Sequence, residues 1–91
     1  MLILETSTKF RKDVRRAQKR GLPIDLLNNV IETLLNEESL DVKHNDHALK
    51  GDYIGHRECH IQPDWLLIYK INKDKLILIA TRTGTHADLF E

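Results

Sequence analysis

The chain has 91 residues, 41% hydrophobic and 31% charged, the balance of one folded domain rather than of a disordered chain. Its single cysteine, Cys59, excludes an internal disulfide framework, and no apolar run reaches the length of a membrane-spanning helix. The formal net charge is zero, but residues 1–20 hold seven Lys/Arg and two acids, residues 21–52 two Lys and seven acids, and residues 53–91 five of each.

The N-terminus, Met1-Leu2-Ile3-Leu4-Glu5, has neither a basic leader nor a small-residue cleavage site. A cytoplasmic protein is therefore expected. The apolar run Leu2 to Leu4 predicts a first strand. Ser7 or Thr8 is placed to cap the helix that follows, because a hydroxyl accepts from a free backbone N–H there. Phe10, Val14 and Ala17 recur at helical spacing, and Arg11, Lys12, Arg15, Arg16, Lys19 and Arg20 fill the rest of the cylinder. Gly21 ends this helix, and Pro23 fits the first turn of the next. Leu26, Leu27, Val30, Ile31, Leu34 and Leu35 form a continuous apolar stripe, the mark of a core-facing helix. Asn36 to Glu38 runs it out, and residues 39–52 read as a loop.

From Tyr53 the period changes to two. Strands are predicted over Tyr53–Ile61, Trp65–Ile71 and Lys75–Arg82. Gln62-Pro63-Asp64 and Asn72-Lys73-Asp74 supply tight turns, so these strands are antiparallel neighbours. The apolar run Leu76 to Ala80 is expected to be buried on both faces. A short helical turn is expected after Gly84. The predicted fold is a single α+β domain over residues 1–91. Two N-terminal helices pack on a small, mainly antiparallel twisted sheet, with the first strand added beside the later hairpins.

Five histidines stand at 44, 47, 56, 60 and 86. Histidine exchanges protons near neutral pH, and two in one cleft can supply a base and an acid for phosphodiester cleavage. RNA brings its own nucleophile, the 2′-hydroxyl. Arg82, at the end of a predicted strand, suits phosphate oxygens through its planar fork. The opposing readings are plain. His44 and His56 read as surface histidines. His56 and His60 have the spacing of helical metal ligands, but in a strand four residues span too far for one ion, so no metal and no cofactor are expected. Asp64 is also ordinary turn chemistry. Trp65 is either a core aromatic or a platform for an unstacked base. Phe90 either staples the tail or flanks a substrate. Cys59 reads as a small buried residue.

Three segments carry a resemblance. They are Asp46-His47-Ala48-Leu49-Lys50-Gly51, the run Gly55-His56-Arg57-Glu58-Cys59-His60-Ile61-Gln62-Pro63-Asp64-Trp65-Leu66-Leu67-Ile68-Tyr69, and Arg82-Thr83-Gly84-Thr85-His86-Ala87-Asp88-Leu89-Phe90. In order and spacing they resemble the YafQ-like toxins of bacterial type II toxin–antitoxin systems, within the RelE/ParE superfamily. The resemblance implies a RelE-like, microbial-ribonuclease-like fold and cleavage of messenger RNA on the ribosome. It also implies a cognate antitoxin, with a free toxin that is monomeric and a hetero-oligomer once bound. Carried over by position, the catalytic set is His47, His60, Asp64 and His86, with Arg82, Trp65 and Phe90 as RNA contacts. His86 is assigned as the acid, with His60 and Asp64 on the base side. The gyrase-poisoning branch shares the fold without ribonuclease chemistry, and an inactive antitoxin-binding relative is a third reading. Many relatives are basic where this chain is neutral, so its N-terminal helix is the expected contact for ribosomal RNA.

Overall fold

The computed structural model of the chain describes residues 1–90. Strand β1 (Ile3–Thr6) leads into helix α1 (Thr8–Lys19), whose N-cap is Ser7. The Ser7 hydroxyl accepts from the Phe10 N–H at 2.9 Å and donates to the Thr81 carbonyl at 2.6 Å. The cap thus also ties the start of α1 to the last strand. Helix α2 (Ile24–Leu35) buries Leu27, Val30, Ile31 and Leu34, the core of the predicted stripe.

Strands β3 (Arg57–Gln62), β4 (Trp65–Asn72) and β5 (Ile77–Gly84) form an antiparallel meander. β1 joins β5 in parallel, and the two-residue β2 (His47–Ala48) closes the other edge, for an order β1-β5-β4-β3-β2. A short helix α3 (His86–Phe90) follows β5. The α+β architecture is the predicted one, and no helix among the described residues is long and apolar enough to cross a membrane.

Side-chain alternation sends Cys59, Ile61, Trp65, Leu67, Tyr69, Leu78 and Ala80 into the core beneath α1 and α2. Leu66 and Ile68 point the other way and form a second, smaller core with Leu89, Leu49 and Tyr53. The strand buried on both faces is therefore β4, where Trp65 to Tyr69 are all buried. The expectation for Leu76 to Ala80 is corrected: Leu76 is 52% exposed in the turn at φ +57°, and only Leu78 and Ala80 are buried. The predicted strand over Tyr53–Ile61 also shifts. Gly51–Tyr53 is a 3₁₀ turn, and Gly55 at φ +88° breaks the chain before Arg57. The predicted loop over residues 39–52 contains a 3₁₀ turn, Val42–His44, as well as β2.

A bulge interrupts the β4–β5 ladder: Ile68 pairs with Arg82 and Tyr69 with Ala80, leaving Thr81 extra. Beside it lies Asp13 of α1, a buried carboxylate. Its Oδ2 accepts from Arg82 Nε at 2.7 Å and from the Thr83 N–H at 3.1 Å. Its Oδ1 accepts from Arg82 Nη2 and Arg16 Nη2, both at 3.1 Å. Asp13→Ala would leave a guanidinium only 17% exposed without its partner. A loss of about 3 kcal/mol is expected, read as a lowered urea midpoint at unchanged slope.

Candidate active site

The sheet face opposite α1 and α2 carries His47 and His60. On β3 the parity that buries Cys59 and Ile61 under the helices turns Glu58 and His60 to this second face. His47 lies opposite Glu58 across the β2–β3 ladder. One ring nitrogen of His47, Nε2, is 3.0 Å from Glu58 Oε2, and the other, Nδ1, is 2.7 Å from the Asn45 carbonyl.

The loop that presents His47 is tied down through Asp46. That carboxylate accepts from the Tyr69 hydroxyl at 2.6 Å and from Arg57 Nε and Nη2 at 3.3 and 3.2 Å. Burial, and then the bond to Asp46, push the Tyr69 phenol above its ordinary value, so it stays a donor. His60 is fixed twice. Its Nδ1 lies 3.1 Å from the Pro63 carbonyl, and its own carbonyl accepts from His44 Nδ1 at 2.6 Å.

Asp64 sits in the β3–β4 turn, where its Oδ1 accepts from the His86 N–H at 3.1 Å. This bond brings the start of α3 to the turn that holds His60. The His86 ring lies against Phe90, with centroids 4.8 Å apart. Phe90 meets Tyr53 edge-on at 5.9 Å, and Tyr53 meets His56 in the same way at 5.9 Å. Phe90 is 40% exposed, so part of its ring remains open.

A clamp holds α3 in place. Asp88 accepts from Arg20 Nη1 and Nη2 at 2.6 and 3.2 Å and from the Thr85 N–H at 2.9 Å. The Arg20 bond is the main reason its carboxyl is held well below the usual carboxylate range; Thr85 and Arg16 add to the effect. Gly84 makes room for this arrangement, since a Cβ there would lie 3.0 Å from Asp88 Cβ and Oδ2.

The structure thus gathers His47, His60, Asp64, His86 and Phe90 around one face and one turn. Arg82 sits beside them with two of its three guanidinium nitrogens committed to Asp13, and that bond chiefly secures its charge. Trp65 does not join them. It is 2% exposed in the helix-side core, and its indole N–H donates to Thr83 Oγ1 at 2.9 Å. It has no ring face open to a base, so the platform expected there is corrected to a core role. His44 and His56 are half-buried rather than freely exposed. Cys59 is fully buried, and burial pushes its thiol up to about 12, which leaves it inert. Among the described residues, no group of three or more His, Cys, Asp or Glu is arranged to hold a metal ion.

Sequence reasoning missed Glu58, a buried carboxylate in contact with His47. Its signal was parity, because Glu58 and His60 are two apart on one strand and share a face. It also missed the anchoring roles of Asp13, Asp46 and Asp88, which no spacing rule announces.

Residues 2–91 match the family model described as bacterial toxin of type II toxin–antitoxin system, YafQ. The chain is 43% identical over 88 residues to the mRNA interferase toxin YafQ of Escherichia coli (strain K12), covering 96% of this chain and 94% of the relative. It superposes on a metal-bound toxin from Helicobacter pylori with a TM-score of 0.93 at 44% identity, covering 99% of this chain and all of the other. It superposes equally fully on the toxin chain of an E. coli DinJ–YafQ complex, with a TM-score of 0.91 at 39% identity.

Because Asp88 is acidified by folding, its clamp contributes stability that is complete above the ordinary carboxylate value near 4 and fades as pH falls further. The wild-type urea midpoint is therefore expected to drop more between pH 6 and pH 3 than that of Asp88→Asn. Parallel drops would show that the clamp carries no such linkage.

Proposed function

The chain belongs to the YafQ family of bacterial type II toxins, and we propose that it is an endoribonuclease that cleaves messenger RNA on the ribosome and so arrests translation. The observation that carries this reading is the meeting of His60, Asp64 and His86 at one hairpin turn, tied by the bond from the His86 N–H to Asp64. Support also comes from the relative named mRNA interferase.

The chemistry follows from the ring contacts. His60 Nδ1 faces a carbonyl, which only accepts, so that nitrogen is the donor and Nε2 is the one placed to take a proton. His60 Nε2 takes the proton of the 2′-hydroxyl as its oxygen attacks the adjacent phosphorus. His86 gives a proton to the departing 5′-oxygen. The products are a 2′,3′-cyclic phosphate and a 5′-hydroxyl end. Asp64 acts by holding the backbone of His86. The Arg82 guanidinium, held by Asp13 and next to Tyr53, supplies positive charge for the phosphate oxygens, and Phe90 flanks the base. RNA contains its own nucleophile, so this route uses acid–base groups alone and calls on no metal.

The partners follow from the same family. A cognate antitoxin covers the toxin, a reading supported by the relative seen with DinJ. The exposed cations of α1, namely Lys9, Lys12, Arg15 and Lys19, face ribosomal RNA. The setting is the cytoplasm, where messages are translated.

Expression of the wild type from a tight promoter, with mapping of message 5′ ends by primer extension, tests the reading. His60→Ala and His86→Ala are each expected to lower cleavage by about 10²–10⁴-fold while keeping the folded chain. Unchanged cuts in both variants, or growth arrest with intact messages, would sink it.

A further inference from the structure

Of the three histidines in the candidate catalytic set, His47 is the one this mechanism has not used, and its two ring nitrogens are both engaged. Nδ1 lies 2.7 Å from the Asn45 carbonyl and Nε2 lies 3.0 Å from Glu58 Oε2. A carbonyl oxygen only accepts, and so does an ionised carboxylate. Both contacts are hydrogen bonds when each nitrogen carries a proton. His60 differs, since only its Nδ1 faces a carbonyl.

Glu58 is unusual in its own right. It is 5% exposed, and its Oε1 is buried with no hydrogen-bond partner. The other buried carboxylate, Asp13, has both oxygens satisfied by Arg16, Arg82 and the Thr83 N–H. A carboxylate kept only for folding is expected to look like Asp13, because each unmet buried oxygen is costly. Glu58 meets that cost with one partner, the His47 ring, whose side chain is 41% exposed above it.

We propose that Glu58 is a positioning residue that keeps His47 protonated on both nitrogens, so that His47 supplies positive charge to the reacting phosphate from the second sheet face and does not serve as the base. The role rests on the ribonuclease reading above. Asn45 contributes through its carbonyl, and the Asp46 contacts to Tyr69 and Arg57 keep that loop from sliding. The charge acts as the negative charge on the phosphate oxygens grows, while the proton transfers remain with His60 and His86.

Two measurements test this on the full chain. In nitrogen NMR of the histidine rings at neutral pH, wild-type His47 is expected to show both nitrogens protonated. In Glu58→Gln, the amide donates to Nε2, which should lose its proton while Nδ1 keeps one. Cleavage of a ribosome-bound message under single-turnover conditions is expected to slow about a hundredfold in Glu58→Gln, with half-saturation little changed. A bare nitrogen on wild-type His47 overturns the proposal, and that spectrum decides the point even where the variant does not fold. Wild-type cleavage rates in a folded Glu58→Gln also overturn it. A wild type that cuts no message removes the ribonuclease reading and the catalytic role together, whereas the ring spectrum still shows whether Glu58 holds His47 as stated.

Discussion

The middle strand buries five consecutive side chains, Trp65 to Tyr69, and so both faces of the sheet must be covered. Two amphipathic helices cover one face. On the other, Leu66 and Ile68 need a lid, each worth roughly 1.5–3 kcal/mol when fully buried. Helix α3 provides it through Leu89, with Leu49 and Tyr53 at the side. A five-residue helix has little stability of its own. It depends on Leu89 below, the Arg20–Asp88 clamp at one side and the Asp64 bond at its start. Covering the second face therefore also delivers His86 to the turn that carries His60.

Carboxylates do most of the fastening, and this explains how a neutral chain uses a basic helix. Asp13 draws Arg16 and Arg82 together at the β5 bulge, and Asp88 takes Arg20. Asp46 binds Arg57 and the Tyr69 hydroxyl beside the loop of His47. Arg16 and Arg20 thus serve the fold. Lys9, Lys12, Arg15 and Lys19 keep their exposure on α1. Net charge alone hides this division, because it counts fastened and free cations alike.

Much of this was legible in the sequence, for reasons that also mark where legibility stops. The stripe of α2, the cap at Ser7 and the two hairpin turns are local signals, and each appears where its chemistry places it. The histidines were visible by type, and their grouping was carried by the motif resemblance rather than by periodicity. Trp65 was assigned two roles because a period of two fixes alternation without saying which face meets the helices. The extra residue at Thr81 shifts that parity within β5, and no pattern of apolar residues reveals a bulge. Leu76 looked like strand and lies in the turn, since an apolar run does not record a positive φ. The pairings of Asp13 with Arg82 and of Arg20 with Asp88 span 69 and 68 residues, beyond any local rule.

Two turn carbonyls distinguish histidines that the sequence presents as equivalent. Pro63 engages one nitrogen of His60, whereas Asn45 and Glu58 together engage both nitrogens of His47. The placement of those carbonyls is a property of backbone geometry: Asn45 ends a 3₁₀ turn in the left-handed region at φ +46°, and Pro63 lies in the turn beside the β3 irregularity. Left-handed backbone is tolerated better by Asn than by most residues, so the identity of residue 45 bears on where a proton sits two residues later. In this fold the loops flanking β2 and β3 do more than present imidazoles. They set which ring nitrogens are engaged by acceptors and which are left open, and the division of labour in the proposed mechanism rests on that difference.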